Sequence, residues 1–246
     1  MKRTILFIFI LAVTFACEDG SIFSSSESSD NSSGISKGGS TATFAIKGDV
    51  LYVVDSEHLN IFDISIENES ELLQKTQVGW GIETIFPFGD MLFLGTQSGV
   101  LIYDISQPTS PSFISEYSHI VACDPVVTDG DFAYLTLRTG SNCGRPINEL
   151  QILDLSNINQ PVMINAVPMN NPKGLSLHGN TLYVCDEGVK VFDVSDKNNI
   201  VEIGHIPNIP ANDVIFHNNQ LLVTADNGFY QFDATEFIQL SYFEYL

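Results

Sequence analysis

Five aspartates occupy one position of a recurring pattern: Asp63, Asp104, Asp154, Asp193 and Asp233, spaced by 41, 50, 39 and 40 residues. Two chemistries suit them. Gathered in a ring, five carboxylates would hold a cation. Spread over five turns, each would accept backbone N–H bonds from the residues that follow. A Ser or Thr stands two places later every time, at Ser65, Ser106, Ser156, Ser195 and Thr235, so the pattern predicts turns. Glu83 and Asp124 form a second candidate pair, which could act as acid and base as paired carboxylates do in glycoside hydrolysis. Their separation cannot be read from the sequence. The chain has no Walker loop, H-E-x-x-H, G-x-S-x-G or dinucleotide fingerprint. His58, His119, His178, His205 and His217 are scattered, and Cys123, Cys143 and Cys185 include no C-x-x-C pair. No catalytic set, metal site or cofactor is expected.

The element that carries each aspartate reads apolar-aromatic-Asp-apolar-Ser, as in Ile61-Phe62-Asp63-Ile64-Ser65 and Val191-Phe192-Asp193-Val194-Ser195. The fifth copy is looser, Gln231-Phe232-Asp233-Ala234-Thr235. A turn pair precedes each copy: Gly48-Asp49, Gly89-Asp90, Gly130-Asp131, Gly179-Asn180 and Asn218-Asn219. Such pairs supply the positive φ of a tight hairpin. Gly99, Gly188 and Gly228, each five residues before the repeat Asp, are expected to do the same at a second hairpin. The first repeat reads as strands at Thr43–Ile46, Val50–Val54, Leu59–Ile64 and Leu72–Val78, and the last ends in a strand at Ile238–Phe243. Runs such as Val100-Leu101-Ile102-Tyr103 are apolar at consecutive positions, as in a sheet covered on both faces. Five four-stranded units of about 40 residues predict an all-β fold, a five-bladed β-propeller over residues 41–246. The ring would close by blade packing, with no strand exchanged between the chain ends.

The strand and Asp-Ile-Ser element, preceded by Gly-Asp and an aromatic strand, resembles the LVIVD repeat of secreted bacterial propellers. Leu101-Ile102-Tyr103-Asp104-Ile105-Ser106 is the nearest match, and the fifth copy departs from the pattern with Ala234-Thr235. The resemblance implies a propeller and no particular activity.

The first 40 residues read as an address and a tether. Met1-Lys2-Arg3 precedes an apolar run from Ile5 to Ala16, too short for a membrane span and suited to the h-region of an export signal. Val13-Thr14-Phe15-Ala16-Cys17 resembles the lipobox of bacterial lipoproteins, with Thr14 in place of the usual Leu. The resemblance implies a signal peptide at 1–16, cleavage before Cys17 and acylation of Cys17, which would anchor the chain to a membrane. Glu18-Asp19 resembles the surface-export signal of Bacteroidetes lipoproteins and implies an outer-membrane lipoprotein displayed on the cell surface. Residues 18–40 hold ten serines in 23 positions. That composition buries too little apolar area to order itself, so 17–40 is read as a flexible tether.

Lys and Arg number 10 against 30 Asp and Glu, for a net charge of −20. Nucleic acid is thereby excluded as a partner, because phosphate binding needs a basic face. Apolar residues make up 44% of the chain, which excludes disorder throughout.

With the first strand innermost, the loops leading into it share a rim with the second hairpins. The Gly-to-Asp distance is 24 in copy three against 14 or 15 elsewhere, which places an insertion within Thr139–Glu149. Cys143 lies in it, and Cys123 lies in the loop leading into the same blade, so a Cys123–Cys143 disulfide is geometrically reasonable and suits an exported chain. Cys185 reads as a buried thiol. Glu83, Asp124, Lys173 and Asn212 would surround the mouth of the axial channel. Trp80, the single Trp, lies beside them, and the insertion contributes Arg138 and Arg145. Two readings of this rim stay open. One is a surface that binds or scaffolds an extracellular or envelope protein or glycan. The other is a hydrolase or lyase acting on an extracellular polymer at the channel mouth. A duller alternative packs Trp80 between blades.

Overall fold

The computed structural model describes residues 38–118, 125–138 and 148–245, all within one unit, Ser32–Leu246. Twenty strands form five four-stranded antiparallel sheets. Blade one is β1 (Phe44–Lys47), β2 (Val50–Val54), β3 (His58–Asp63) and β4 (Glu71–Gln77). Blade two is β5 (Ile82–Phe88), β6 (Met91–Thr96), β7 (Gly99–Asp104) and β8 (Ser112–Ser118). Blade three is β9 (Val126–Thr128), β10 (Phe132–Leu137), β11 (Glu149–Asp154) and β12 (Val162–Pro168). Blade four is β13 (Leu175–His178), β14 (Thr181–Cys185), β15 (Gly188–Asp193) and β16 (Val201–Pro207). Blade five is β17 (Ala211–His217), β18 (Gln220–Ala225), β19 (Gly228–Asp233) and β20 (Gln239–Glu244).

Within every blade the strands pair in chain order, so no strand is exchanged between the two ends of the ring. First strands of neighbouring blades lie against one another from β1 through β5, β9 and β13 to β17, which makes them the inner wall. Fourth strands are exposed along most of their length and form the outer edge. The fold is the expected five-bladed β-propeller. Strand limits differ from the sequence reading by about one residue, as at β1, β3, β4 and β20. Periodicity fixes which face a residue takes better than where pairing stops.

Side chains on both faces of the inner strands are buried because each blade is covered by its neighbours. Tyr52, Ile61, Leu92 and Leu94 pack between blades one and two, and Phe93, Leu135 and Leu153 between two and three. Tyr134, Leu182 and Val184 fill the next seam, and Tyr183, Val191, Leu221 and Val223 the one between four and five.

The first hairpins use left-handed backbone as expected, with φ of +55° at Gly179 and +48° and +58° at Asn218 and Asn219. The second hairpins divide. Gly99 and Gly188 have φ of +148° and +115°, but Gly228 does not have positive φ, which corrects the expectation for it. Gly228 is needed for space: a Cβ there would lie 2.2 Å from the Phe243 carbonyl oxygen. One feature recurs that the sequence did not announce. In all five blades a β-bulge interrupts third-to-fourth strand pairing just before the repeat aspartate, at Ile61/Phe62, Ile102/Tyr103, Ile152/Leu153, Val191/Phe192 and Gln231/Phe232. A bulge raises local twist and re-aims the side chains beyond it.

Candidate functional site

The five repeat aspartates each serve their own turn. The Oδ1 atom accepts the amide of Ser65, Ser106, Ser156, Ser195 or Thr235 at 2.7–2.9 Å. The next residue of each repeat donates its amide to the first hairpin, as Ile64 does to the Asp49 carbonyl and Val194 to that of Asn180. Bonds from the hydroxyl and amide of each Ser hold the first four carboxyls below the usual carboxylate range, and the amides of Glu236 and Thr235 do so for Asp233. The turn chemistry therefore accounts for the aspartates without a shared cation.

The opposite rim carries the candidate contact residues. Trp80, in the loop leading into β5, is 74% exposed, so the duller reading that packs it between blades does not hold. Glu83 is half-buried, and its Oε1 accepts from Gln97 Nε2 at 3.1 Å. Lys173 and Asn212 are brought together: Lys173 Nζ donates to Asn212 Oδ1 at 2.6 Å, across the seam between blades four and five. Asn212 Nδ2 in turn donates to Asp226 Oδ1 at 2.7 Å. Arg138 directly follows β10 and is half-buried. Asp124, Arg145, Cys17, Cys123 and Cys143 lie outside the described residues.

A rule of the rim becomes visible here. The residue just past the second strand of a blade is Gln97, Asp186 or Asp226 in blades two, four and five, and it bonds to the start of that blade's first strand or to the loop before it. Gln97 holds Glu83, Asp226 holds Asn212, and Asp186 accepts the amides of Asn170 and Asn171. Asp186 also pairs with Lys190 at 2.8 Å. Burial pushes its carboxyl up, but the bonds from Lys190, Asn171 and Asn170 outweigh burial and hold it below the usual range. These contacts fix the entries to the first strands on the rim, and with them the residues presented there.

Sequence reasoning missed both buried acids of this rim, Asp186 and Asp213. Asp213, at the start of β17, accepts from Ser40 Oγ at 3.0 Å and from Thr41 Oγ1 at 2.7 Å. It also accepts the amides of Thr41 and Val214. Burial pushes its carboxyl above the usual range, while the Thr41 and Ser40 bonds pull the other way. Ser40, the last residue of the stretch read as tether, is 1% exposed and also accepts the Leu175 amide at 2.7 Å. The available signal was the Asn212-Asp213 pair, where a polar residue occupies a strand position that faces the core. Cys185 lies in the same region as a buried free thiol. Burial first, and the Asp213 charge second, push its thiol pKa well up, against a smaller pull from Lys173. Among the described residues no group of three His, Cys, Asp or Glu could hold a metal ion.

The sequence matches the LVIVD repeat over residues 38–78, 88–119 and 171–206, so the chain is a β-propeller carrying LVIVD repeats. No curated protein matches it. Solved structures share the fold at low identity. A chain of the Nidogen/Laminin complex is 13% identical with a TM-score of 0.58, covering 80% of this chain and 76% of that one. The periplasmic gluconolactonase PpgL of Pseudomonas aeruginosa is 13% identical with a TM-score of 0.58, covering 80% and 67%. BamB from Moraxella catarrhalis is 11% identical with a TM-score of 0.54, covering 81% and 62%.

Proposed function

We propose that this propeller is a lipid-anchored, exported binding or scaffolding module of the bacterial outer membrane, displayed at the cell surface, whose contact surface is the rim bearing Trp80. The observation that carries the reading is the exposure of that indole beside polar groups already held in place. Trp is among the side chains that dominate binding energy when a partner covers them, and loops set on a rigid scaffold are the usual carriers of such contacts. Glu83, Lys173 and Asn212 supply oriented polar groups on the same rim. Asp124, Arg138, Arg145 and a Cys123–Cys143 staple would complete it, and acylated Cys17 would supply the membrane anchor. The partner is an envelope or extracellular protein or a glycan. The similar chain in the Nidogen/Laminin complex was solved in a complex, which illustrates that such folds can serve recognition.

A binding screen of the mature protein against glycans and envelope proteins, repeated with Trp80→Ala, tests this reading. Weaker binding by the variant supports the rim, and equal binding overturns it. Product release that stops in Glu83→Gln would favour a polymer-acting hydrolase or lyase instead. Loss of fatty-acid labelling in Cys17→Ala tests the anchor. Non-reducing peptide mapping tests the staple, and free thiols at both cysteines would reject it.

A further inference from the structure

Five blades arranged about one axis have five seams, and the first-strand packing that joins β1, β5, β9, β13 and β17 in turn is not continued to the same extent between β17 and β1. Among the described residues, four of the seams hold an apolar cluster: one–two, two–three, three–four and four–five. None joins blade five to blade one. The repeat makes the deficit measurable, because equivalent positions can be compared. The position four residues before the first turn pair of each blade is Phe44, Ile85, Val126, Leu175 and Val214. Four of these are at most 1% exposed and pack against the preceding blade, while Phe44 is 56% exposed.

The other lip repeats the pattern. Tyr52, Phe93, Tyr134 and Tyr183 occupy one position of the second strand, and each is buried in the cluster shared with the next blade. Blade five has Leu222 there, half-buried and outside every cluster. Thr224, on the same face of β18, is exposed. Phe243 on β20 is also exposed, although the matching face of blade five contains Phe229 beside it.

Polar ties follow the same division. Tyr52 bonds the Pro108 carbonyl, Lys47 pairs with Asp90, Asn165 bonds the Lys197 carbonyl and Ser176 accepts the Phe216 amide, all across cored seams. Blade five is tied to the segment leading into β1 by Asp213 with Ser40 and Thr41. Gly39 and Gly174 pack against that carboxylate so closely that a Cβ on either would lie about 2 Å from it.

We propose that the ring opens at the seam between the fifth and first blades, with Ser40, Thr41 and Asp213 as its latch. A seam with no apolar cluster among the described residues lacks the main term that opposes separation, and the hydrogen bonds at one end of it then hold the blades together. Elements with few buried contacts open locally at a lower free energy than the rest of a fold.

Amide exchange in the full mature chain, followed by NMR at low denaturant, tests this. Leu175 and Ile85 are equally buried inner-strand residues. The Leu175 amide is held by Ser40 of the latch and the Ile85 amide by the Ala42 carbonyl across the cored seam. Leu175 is expected to exchange at least about tenfold faster than Ile85 in the native protein. Asp213→Asn, which puts an amide group against the latch donors, is expected to speed Leu175 by roughly a further tenfold. Equal exchange of the two amides in the native protein overturns the proposal, and so does a folded variant in which Leu175 exchanges no faster than in the native protein. The native comparison decides even where the variant does not fold.

Discussion

The Ser40 hydroxyl donates to Asp213 Oδ1 at 3.0 Å across 173 positions of sequence. This contact joins the start of the propeller to its last blade, and it is polar where strand exchange or an apolar core could have served. Both carboxylate oxygens of Asp213 are occupied by donors: Ser40 and the Val214 amide at Oδ1, and the amide and hydroxyl of Thr41 at Oδ2. Asp213→Asn should therefore destabilise the fold by about 1.5–3 kcal/mol, since the amide nitrogen would face donors at either position. Denaturant titration of the two proteins checks this, and an unchanged midpoint would count against it.

Gly174→Ala should be costly for a steric reason. The new Cβ would lie 2.1 Å from Asp213 Oδ1 and 2.7 Å from the Asp213 Cα. The second contact is backbone, so no rotamer change relieves it. A loss of about 1–3 kcal/mol is expected, read as a lower unfolding midpoint.

Tyr52→Phe isolates one polar tie in a seam that has a core. The phenol is buried, its pKa is pushed up to about 12 by desolvation, and it donates to the Pro108 carbonyl at 2.8 Å. Removing it should cost about 1 kcal/mol. For a chain of this size that is roughly 2–4 °C in Tm, measurable by calorimetry.

Acidification should lower Tm. The carboxyls of Asp63, Asp104, Asp154 and Asp193 are lowered by bonds from the Ser that follows each, and that of Asp233 by the amides of Glu236 and Thr235. A lowered group stabilises the fold above its unfolded pKa and loses that contribution as pH falls through the folded one. Asp213, raised by burial, has the opposite sign: its contribution declines as pH rises through the raised value. The five repeat carboxyls, with Asp55 and Asp186 lowered as well, against the raised Asp213 predict a Tm that falls below about pH 4. Asp154→Asn should make that fall shallower, and a Tm that rises on acidification would contradict the account.

Trp80→Ala should leave stability within about 0.5 kcal/mol, since the side chain is largely in water. Under the proposed function it should weaken partner binding by about tenfold or more. Surface plasmon resonance together with a thermal melt separates the two effects.

Architecture was legible in the sequence because it is repeated. A strand pattern such as Val191-Phe192-Asp193-Val194-Ser195 is ambiguous once, but five copies at near-constant spacing leave few folds able to bury them all. The turns were legible for a local reason: Gly179, Asn218 and Asn219 adopt left-handed backbone that other residues avoid, and each repeat Asp bonds an amide two residues away. Gly228 shows the limit, since its role depends on the approach of Phe243 from another strand.

The rim and the seam were decided by the tertiary structure. Sequence spacing placed Glu83, Lys173 and Asn212 at equivalent positions, but whether they touch depends on partners in other loops and blades. Lys173 reaches Asn212, whereas Glu83 is held by Gln97. Ser40 looked like the end of a polar tether by composition, yet its hydroxyl is buried between Leu175 and Asp213. Local patterns encode which face of a strand is apolar. What covers that face is a long-range matter, and closing five similar blades into a ring leaves one pair of faces to meet without a chain connection between them.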